Sequence, residues 1–300
     1  MFQKTLGICI LLALVISAVA AGETSPSPAS LSAAAIVDKN VAARGGLQAW
    51  RAVQTMSMAG KLTAGGNQRN ALPVPMTDRR ATKRSSKMTL PSRPAEEAQL
   101  PFVMELKRSR KMRMELEFNG QTAIQVFDGA NGWKLRPFLN RREVEPYTTE
   151  EMKASSLQAD LDGYLVDYSI KGTKIELAGV EKVEDRDAYK LKLTTKNGQA
   201  LHVWIDAQTF LEAKIEGQPR RLDGIYHPVE VYYRDYRPVN GLQVPYLMET
   251  KVLPVAQAAK GKRESAVPTE KIIIEKVMVN PKLDESLFSK PEAGVTPKAK

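Results

Sequence analysis

Strict two-residue alternation over Lys111–Phe118 is the feature that most limits the folds open to this chain. Met112, Met114, Leu116 and Phe118 fall on one side, and Lys111, Arg113, Glu115 and Glu117 on the other. A strand sends successive side chains to opposite faces, so the stretch reads as a half-buried strand and not as a helix. After Asn119-Gly120 the pattern resumes with Thr122, Ile124 and Val126, again at even numbers. A two-residue Asn-Gly turn would place Phe118 opposite Gln121 and send Ile124 and Val126 to the other face. A three-residue loop, Phe118-Asn119-Gly120 with Gly120 as a left-handed bulge, pairs Leu116 with Thr122, Met114 with Ile124 and Met112 with Val126. Parity therefore predicts the three-residue loop and a hairpin with a single oily, methionine-rich face.

The same device is expected once more. Tyr189, Leu191 and Leu193 alternate with lysines, Lys196-Asn197-Gly198 intervenes, and Leu201, Val203 and Ile205 keep the odd parity. A three-residue loop ending on Gly198 pairs Leu193 with Leu201 and Leu191 with Val203. Further strands read at Thr55–Leu62, Phe102–Arg108, around Trp133, at Leu211–Ile215, Val229–Tyr236, Val244–Val252 and Lys271–Val279, with Pro245 marking an edge or bulged position. Nearest-neighbour connections of this kind predict an antiparallel meander of about ten to twelve strands.

Two helices interrupt the strands. Ser32 caps a helix to about Arg44 whose stripe is Ala33, Ile36, Val37, Asn40 and Val41, stopped by Gly45-Gly46. Thr148 with Glu151 forms a capping box for a helix expected over 148–165, carrying Met152, Leu157, Leu161 and Leu165. A helix inserted among strands must bury its stripe against a sheet face.

The ends and one excursion carry different signals. Lys4, the apolar run Leu6–Val19 and Ala18-Val19-Ala20 make residues 1–20 a secretory signal peptide. Cys9, the only cysteine, lies inside that run, not after it, so a soluble exported protein is expected and not a lipid-anchored one. Residues 21–31 read as a flexible lead and 291–300 as a disordered Lys/Pro-rich tail, leaving 32–290 as a single domain. Within it, residues 65–101 form a basic, proline-interrupted loop. The formal net charge of +10 favours anionic partners; export makes nucleic acid the least expected of them.

Catalytic signatures are missing. There is no G-x-S-x-G, no H-E-x-x-H, no glycine-rich phosphate loop and no cysteine nucleophile, so no enzyme activity, metal or cofactor is expected. His202 is expected to face solvent beside Trp204, and His227 lies in a turn-like stretch before Pro228. The acidic pairs Glu150/Glu151 and Asp160/Asp162 read as a capping device and a solvated helix face. Lys107, Arg108, Arg110, Lys111 and Arg113 read first as a solvated strand face, with a docking surface for acidic headgroups as the functional alternative. The methionines Met104, Met112 and Met114 read first as core, with an adaptable ligand wall as the alternative.

Several short motifs together resemble a known group. They are Ala42-Ala43-Arg44-Gly45-Gly46, Val126-Phe127-Asp128-Gly129 with Gly132-Trp133, Val203-Trp204-Ile205-Asp206, Tyr236-Arg237-Pro238-Val239-Asn240-Gly241 with Pro245, and Asn280, Phe288 and Pro291. The pattern resembles the outer-membrane lipoprotein-sorting proteins of the LolA/LolB-like kind. The resemblance implies a curved antiparallel half-barrel whose helices cover an apolar concave face. It also implies a non-catalytic, monomeric periplasmic carrier of lipid or lipoprotein acyl chains. Its partners would be lipoprotein-handling proteins of the inner or outer membrane. A sensor or adaptor that binds lipoproteins and signals through a protein partner is the second reading. On this basis the candidate cavity residues are Met112, Met114, Leu116, Ile124, Val126, Met152, Leu161, Leu191, Leu193 and Val203.

Overall fold

A computed structural model describes residues 31–64, 98–137, 141–222, 224–255 and 269–292. The signal peptide, nearly all of the lead, most of the basic loop and residues 293–300 of the tail lie outside them. Among these residues there are three α-helices, α1 (Ala33–Ala43), α2 (Leu47–Ala52) and α3 (Thr149–Gln158). The strands before α3 are β1 (Thr55–Ala64), β2 (Ala98–Lys107), β3 (Lys111–Phe118), β4 (Gln121–Phe127), β5 (Gly132–Arg136) and β6 (Arg141–Pro146). Those after it are β7 (Lys174–Val183), β8 (Arg186–Thr194), β9 (Ala200–Asp206), β10 (Glu212–Leu222), β11 (Ile225–Val239), β12 (Leu242–Val252) and β13 (Glu270–Val279). A 3-10 turn over Glu285–Phe288 follows β13.

All thirteen strands join one antiparallel sheet, slightly more than the expected count, in the order β6-β5-β4-β3-β2-β1-β13-β12-β11-β10-β9-β8-β7. Two meanders, β1–β6 and β7–β13, are stitched together where β1 pairs with β13. This topology creates a cover. β6 and β7 are consecutive in the chain yet form opposite edges, so everything between them must cross a face of the sheet. Laid flat, the edges of a thirteen-stranded sheet would stand about 58 Å apart. The connection is α3, about 15 Å long, and a compact run of turns over 159–173. So short a bridge requires the sheet to curl, and the result is an open half-barrel with α3 and residues 159–173 on its concave side.

The second expected hairpin is present as predicted. Leu193 pairs with Leu201 and Leu191 with Val203, while Thr195 and Gln199 close a three-residue loop with Gly198 left-handed (φ 79°). The first is not. Phe118 pairs with Gln121, Leu116 with Ala123 and Met112 with Phe127, leaving the two-residue turn Asn119-Gly120. Both turn residues have positive φ (50° and 70°), the type I′ geometry that Asn-Gly favours because it follows the sheet's twist. Ile124 and Val126 therefore face away from Met112 and Met114. They form a small convex-side cluster with Leu135, Trp133 and Val144. The parity rule failed because β4 is oily on both faces.

The helix expected over 148–165 ends at Gln158, with Ala159 as its C-cap. Its start is as predicted, with Thr148 and Glu151 making a reciprocal capping box. The helix expected after Ser32 is also present, and Ser32 Oγ accepts from the Ala35 amide. Pro245 lies in the stretch of β12 that pairs with β11 only, since β13 meets β12 at Leu247–Thr250. β6 and β7 were not legible as strands; in β7 the alternation of Ile175 and Leu177 breaks at a register shift before Gly179.

Candidate functional site

Concave-side rows follow from the register. Met114, Met104, Met58 and Val277 lie side by side across four strands, and beside them run Leu116, Phe102, Gly60 and Ile274. A third row joins Leu100, Leu62, Ile272, Met248 and Tyr233. Gly60 is required where β13 crowds the bulge in β1, since a Cβ there would stand 2.0 Å from the Ile273 carbonyl oxygen. Met58 and Phe102 are buried, whereas Met114, Leu116, Met104, Leu62, Met248 and Ile272 are only half-buried. The apolar face is thus continuous but incompletely covered.

Two cores occupy that face. One gathers Trp50, Val53, Met56, Met58, Phe102, Met112 and Phe127 with Leu161 and Val166 of the crossing segment. The other sets Ile36 and Val37 of α1, with Leu165, on Leu191, Leu193, Leu201, Val203 and Ile205. The candidate cavity residues therefore separate into three groups. Met112, Met114, Leu116, Met152 and Leu161 belong to the first core, Leu191, Leu193 and Val203 to the second, and Ile124 and Val126 to the convex cluster. The sequence reading missed Met58, Leu62, Phe102, Met248 and Ile272. Even-numbered alternation in Thr55–Leu62 was a signal that would have found the first two.

The cover is held by polar contacts as much as by packing. Arg108, just after β2, grips Asp162 with two bonds of 2.8 and 2.9 Å, and donates to the carbonyls of Trp50 and Val53 at 2.6 Å. Arg51 makes a two-bond pair with Asp167, and Lys171 bridges both oxygens of Asp160 and the Gly163 carbonyl. The Arg51 hydrogen bond holds the Asp167 carboxyl below its usual range. Asp160 and Asp162 are thus ion-pair partners beyond the helix, not its solvated face. On α3, Glu151 reaches Lys134 of β5 at 2.5 Å. Burial pushes Glu151 up, and the Lys134 ammonium with the Thr148 amide outweighs it, so its pKa is lowered. On α1, the Asn40 amide donates to the Phe210 carbonyl at 2.8 Å, while its buried oxygen has no hydrogen-bond partner among the described residues.

Under the cover lies a cavity of about 120 Å³, lined by Leu165, Val203, Ile215, Tyr233, Pro245 and the ion pair Arg44–Glu212 at 3.2 Å. The Tyr236 hydroxyl donates to the Glu212 carbonyl at 3.0 Å. Burial, with Glu212 nearby, pushes the phenols of Tyr233 and Tyr236 up, so both stay neutral donors.

Among the described residues the five cations Lys107, Arg108, Arg110, Lys111 and Arg113 meet four carboxylates. Lys107 and Lys111 both pair with Glu285, Arg113 with Glu115 at 2.6 Å, and Arg110 reaches Asp160 only at 3.7 Å. His202 sits on the convex side, its ring centre 6.0 Å from that of Trp204 and its Nδ1 2.9 Å from Glu216. His227 is buried with Nδ1 3.1 Å from the Leu253 carbonyl. Among the described residues no group of His, Cys, Asp and Glu is arranged to hold a metal ion. No helix among them is long and apolar enough to cross a membrane.

No protein-family model matches the chain, and no curated protein is detectably similar to it. Solved structures are similar in shape. A LolA superfamily protein from Nitrosomonas europaea aligns over 87% of this chain and 99% of its own, with a TM-score of 0.50 at 13% identity. A domain from Vibrio parahaemolyticus described as an outer membrane lipoprotein-sorting protein aligns over 86% and 96%, also with a TM-score of 0.50 and 13% identity. The chain has a LolA-like fold.

Proposed function

We propose that this chain is a non-catalytic periplasmic carrier that takes lipid or lipoprotein acyl chains onto its concave face, for outer-membrane lipoprotein sorting. One observation carries the reading. The apolar face is roofed by three helices and a turn-rich crossing segment, which the Arg108–Asp162 and Lys134–Glu151 ion pairs tie to the end of β2 and to β5, with half-buried Met114, Leu116, Met248 and Ile272 beside it. A roof of this kind can lift without dismantling the sheet. The LolA-like fold, and the lipoprotein-sorting description of one structural neighbour, agree with it.

The energetics suit reversible carriage. Each methylene moved from water is worth about 0.8 kcal/mol, so about ten methylenes contribute a gross ~8 kcal/mol. Lifting the cover and ordering the ligand reduce that figure, leaving binding that a membrane-bound lipoprotein-handling partner can reverse. The signal peptide would deliver the chain to the periplasm as a soluble monomer, with residues 32–290 acting as the carrier domain. No step requires a nucleophile, a general base or a metal.

The test uses an apolar fluorescent probe. Leu116→Glu places a carboxylate on the concave face and should abolish uptake, whereas Val103→Glu, on the exposed convex side, should leave it intact. A folded Leu116→Glu protein that takes up the probe as the unaltered chain does would contradict the assignment.

A further inference from the structure

A second cavity, of about 230 Å³, lies between the turn of the β8–β9 hairpin, the crossing segment and the β2–β3 turn. Its wall differs from that of the first. Arg110, Lys171 and Lys196 face it with the single carboxylate of Asp160, three cations against one anion for a net of +2. Thr173, Thr195, Asn197 and Gln199 add hydroxyl and amide groups. The two cavities share Gly163 and Tyr164 as lining residues, so this polar, cationic cavity adjoins the apolar one.

The cations are not equally committed. Lys171 spends all three of its donors, two on Asp160 at 2.9 and 3.0 Å and one on the Gly163 carbonyl at 2.6 Å. It is a fixed structural charge. Arg110 stands 3.7 Å from Asp160, too long for a hydrogen bond, and its side chain is half exposed (52%). Lys196 enters no ion pair among the described residues, and its aliphatic stem lies across Gly172. Arg110 itself is held in the left-handed region (φ 58°) after Ser109 (φ 73°), a conformation that non-glycine residues adopt rarely. Arg110 is therefore held only by a long ion pair to a carboxylate already bonded to Lys171, and Lys196 by none among the described residues, so both keep donors free beside the apolar cavity.

We propose that this cavity seats a phosphate-bearing anionic headgroup between Arg110 and Lys196, while the attached acyl chain continues past Tyr164 onto the concave face. The inference rests on the carrier reading for the chain and adds the class of headgroup. Arg110 and Lys196 donate to phosphate oxygens, and the Asn197 amide adds a donor from the hairpin turn. Free phosphate shares this chemistry, and the experiment separates the two sources.

Calorimetry on the exported chain would compare palmitoyl lysophosphatidylglycerol, monopalmitoylglycerol of the same chain length, and inorganic phosphate. Two partly exposed charge-assisted contacts should make the anionic lipid roughly 3–10-fold tighter than the neutral one. In the double variant Arg110→Gln with Lys196→Gln, the two lipids should bind alike. Circular dichroism would establish that the variant is folded, as expected for exposed side chains. Equal binding of both lipids by the unaltered chain, or a preference that survives the double substitution, would overturn the headgroup site. Binding of inorganic phosphate alone, lost in the double variant, would assign the site to a free anion and overturn the carrier reading. Binding of neither lipid nor phosphate would overturn both.

Discussion

Replacing Arg108 by Met tests whether the crossing segment is a latch. The substitution keeps the apolar stem and removes a guanidinium that bonds both oxygens of Asp162 and the carbonyls of Trp50 and Val53. Breaking a buried ion pair costs about 3–5 kcal/mol, because the remaining charge is left without compensation. Here Asp162 is 9% exposed but Arg108 is 31% exposed, so water relieves part of the loss and about 2 kcal/mol is the better figure. That loss should fall first on the cover, since Asp162 belongs to the crossing segment and the two carbonyls to α2 and its end. An increment of about 2 kcal/mol multiplies the open population roughly 30-fold. Hydrogen exchange read by mass spectrometry should show it in peptides over 159–172, with β9 as an internal reference. Faster uptake of an apolar probe should accompany it. Unchanged exchange in 159–172, together with a lower melting temperature for the whole chain, would make Arg108 an ordinary support of the core and refute the latch.

Further predictions follow from other contacts. Gly45→Ala should destabilise by about 2 kcal/mol or more, because Gly45 has a φ of 116° and a Cβ would lie 2.3 Å from the Gly241 carbonyl oxygen; thermal melting reads it, and an unchanged midpoint would contradict the close approach of α1's end to the β11–β12 turn. The Asp167 carboxyl is held below its usual range by Arg51, as Glu151 is lowered by Lys134 and Thr148, so these pairs contribute stability above the ordinary carboxylate range. Their contribution should hold from pH 8 to about 5 and fade only below about pH 4, as the folded-state values are passed; a melting temperature that already falls between pH 8 and 6 would count against them as the pins. A Leu116→Cys/Ala123→Cys pair should cross-link on oxidation while Leu116→Cys/Thr122→Cys does not, since Ala123 is the direct neighbour; the reverse would restore the three-residue loop. Depleting the protein should leave lipoproteins mislocalised, and correctly sorted lipoproteins with altered stress signalling would favour the sensor reading instead.

The two hairpins show what alternation can and cannot decide. Around Lys196-Asn197-Gly198 Leu191, Leu193, Leu201, Val203 and Ile205 all share one core, with Ala188 and Trp204 the only buried apolar residues on the opposite face, and parity returned the observed register. Around Asn119-Gly120 the turn dipeptide prefers type I′, and β4 has apolar partners waiting on both faces. There the local turn preference won. Capping signals worked at Ser32 and Thr148 because a cap is settled within three residues. The cover beyond Gln158 was not legible in the same way. Leu161 and Leu165 continue a helical stripe on paper, but Asp160, Asp162 and Asp167 are satisfied by Lys171, Arg108 and Arg51, whose nearness depends on the whole topology. Eight of the ten candidate cavity residues belong to the two concave-side cores, and Ile124 and Val126 do not, because the turn set the register of β4.

Native mass spectrometry of the protein gently extracted from its own envelope tests the central claim most directly. The account predicts a population heavier than the bare chain by the mass of a lipid or an acylated protein, which Leu116→Glu removes while the protein stays folded. A single species at the mass of the bare chain, unchanged by that substitution, would contradict it.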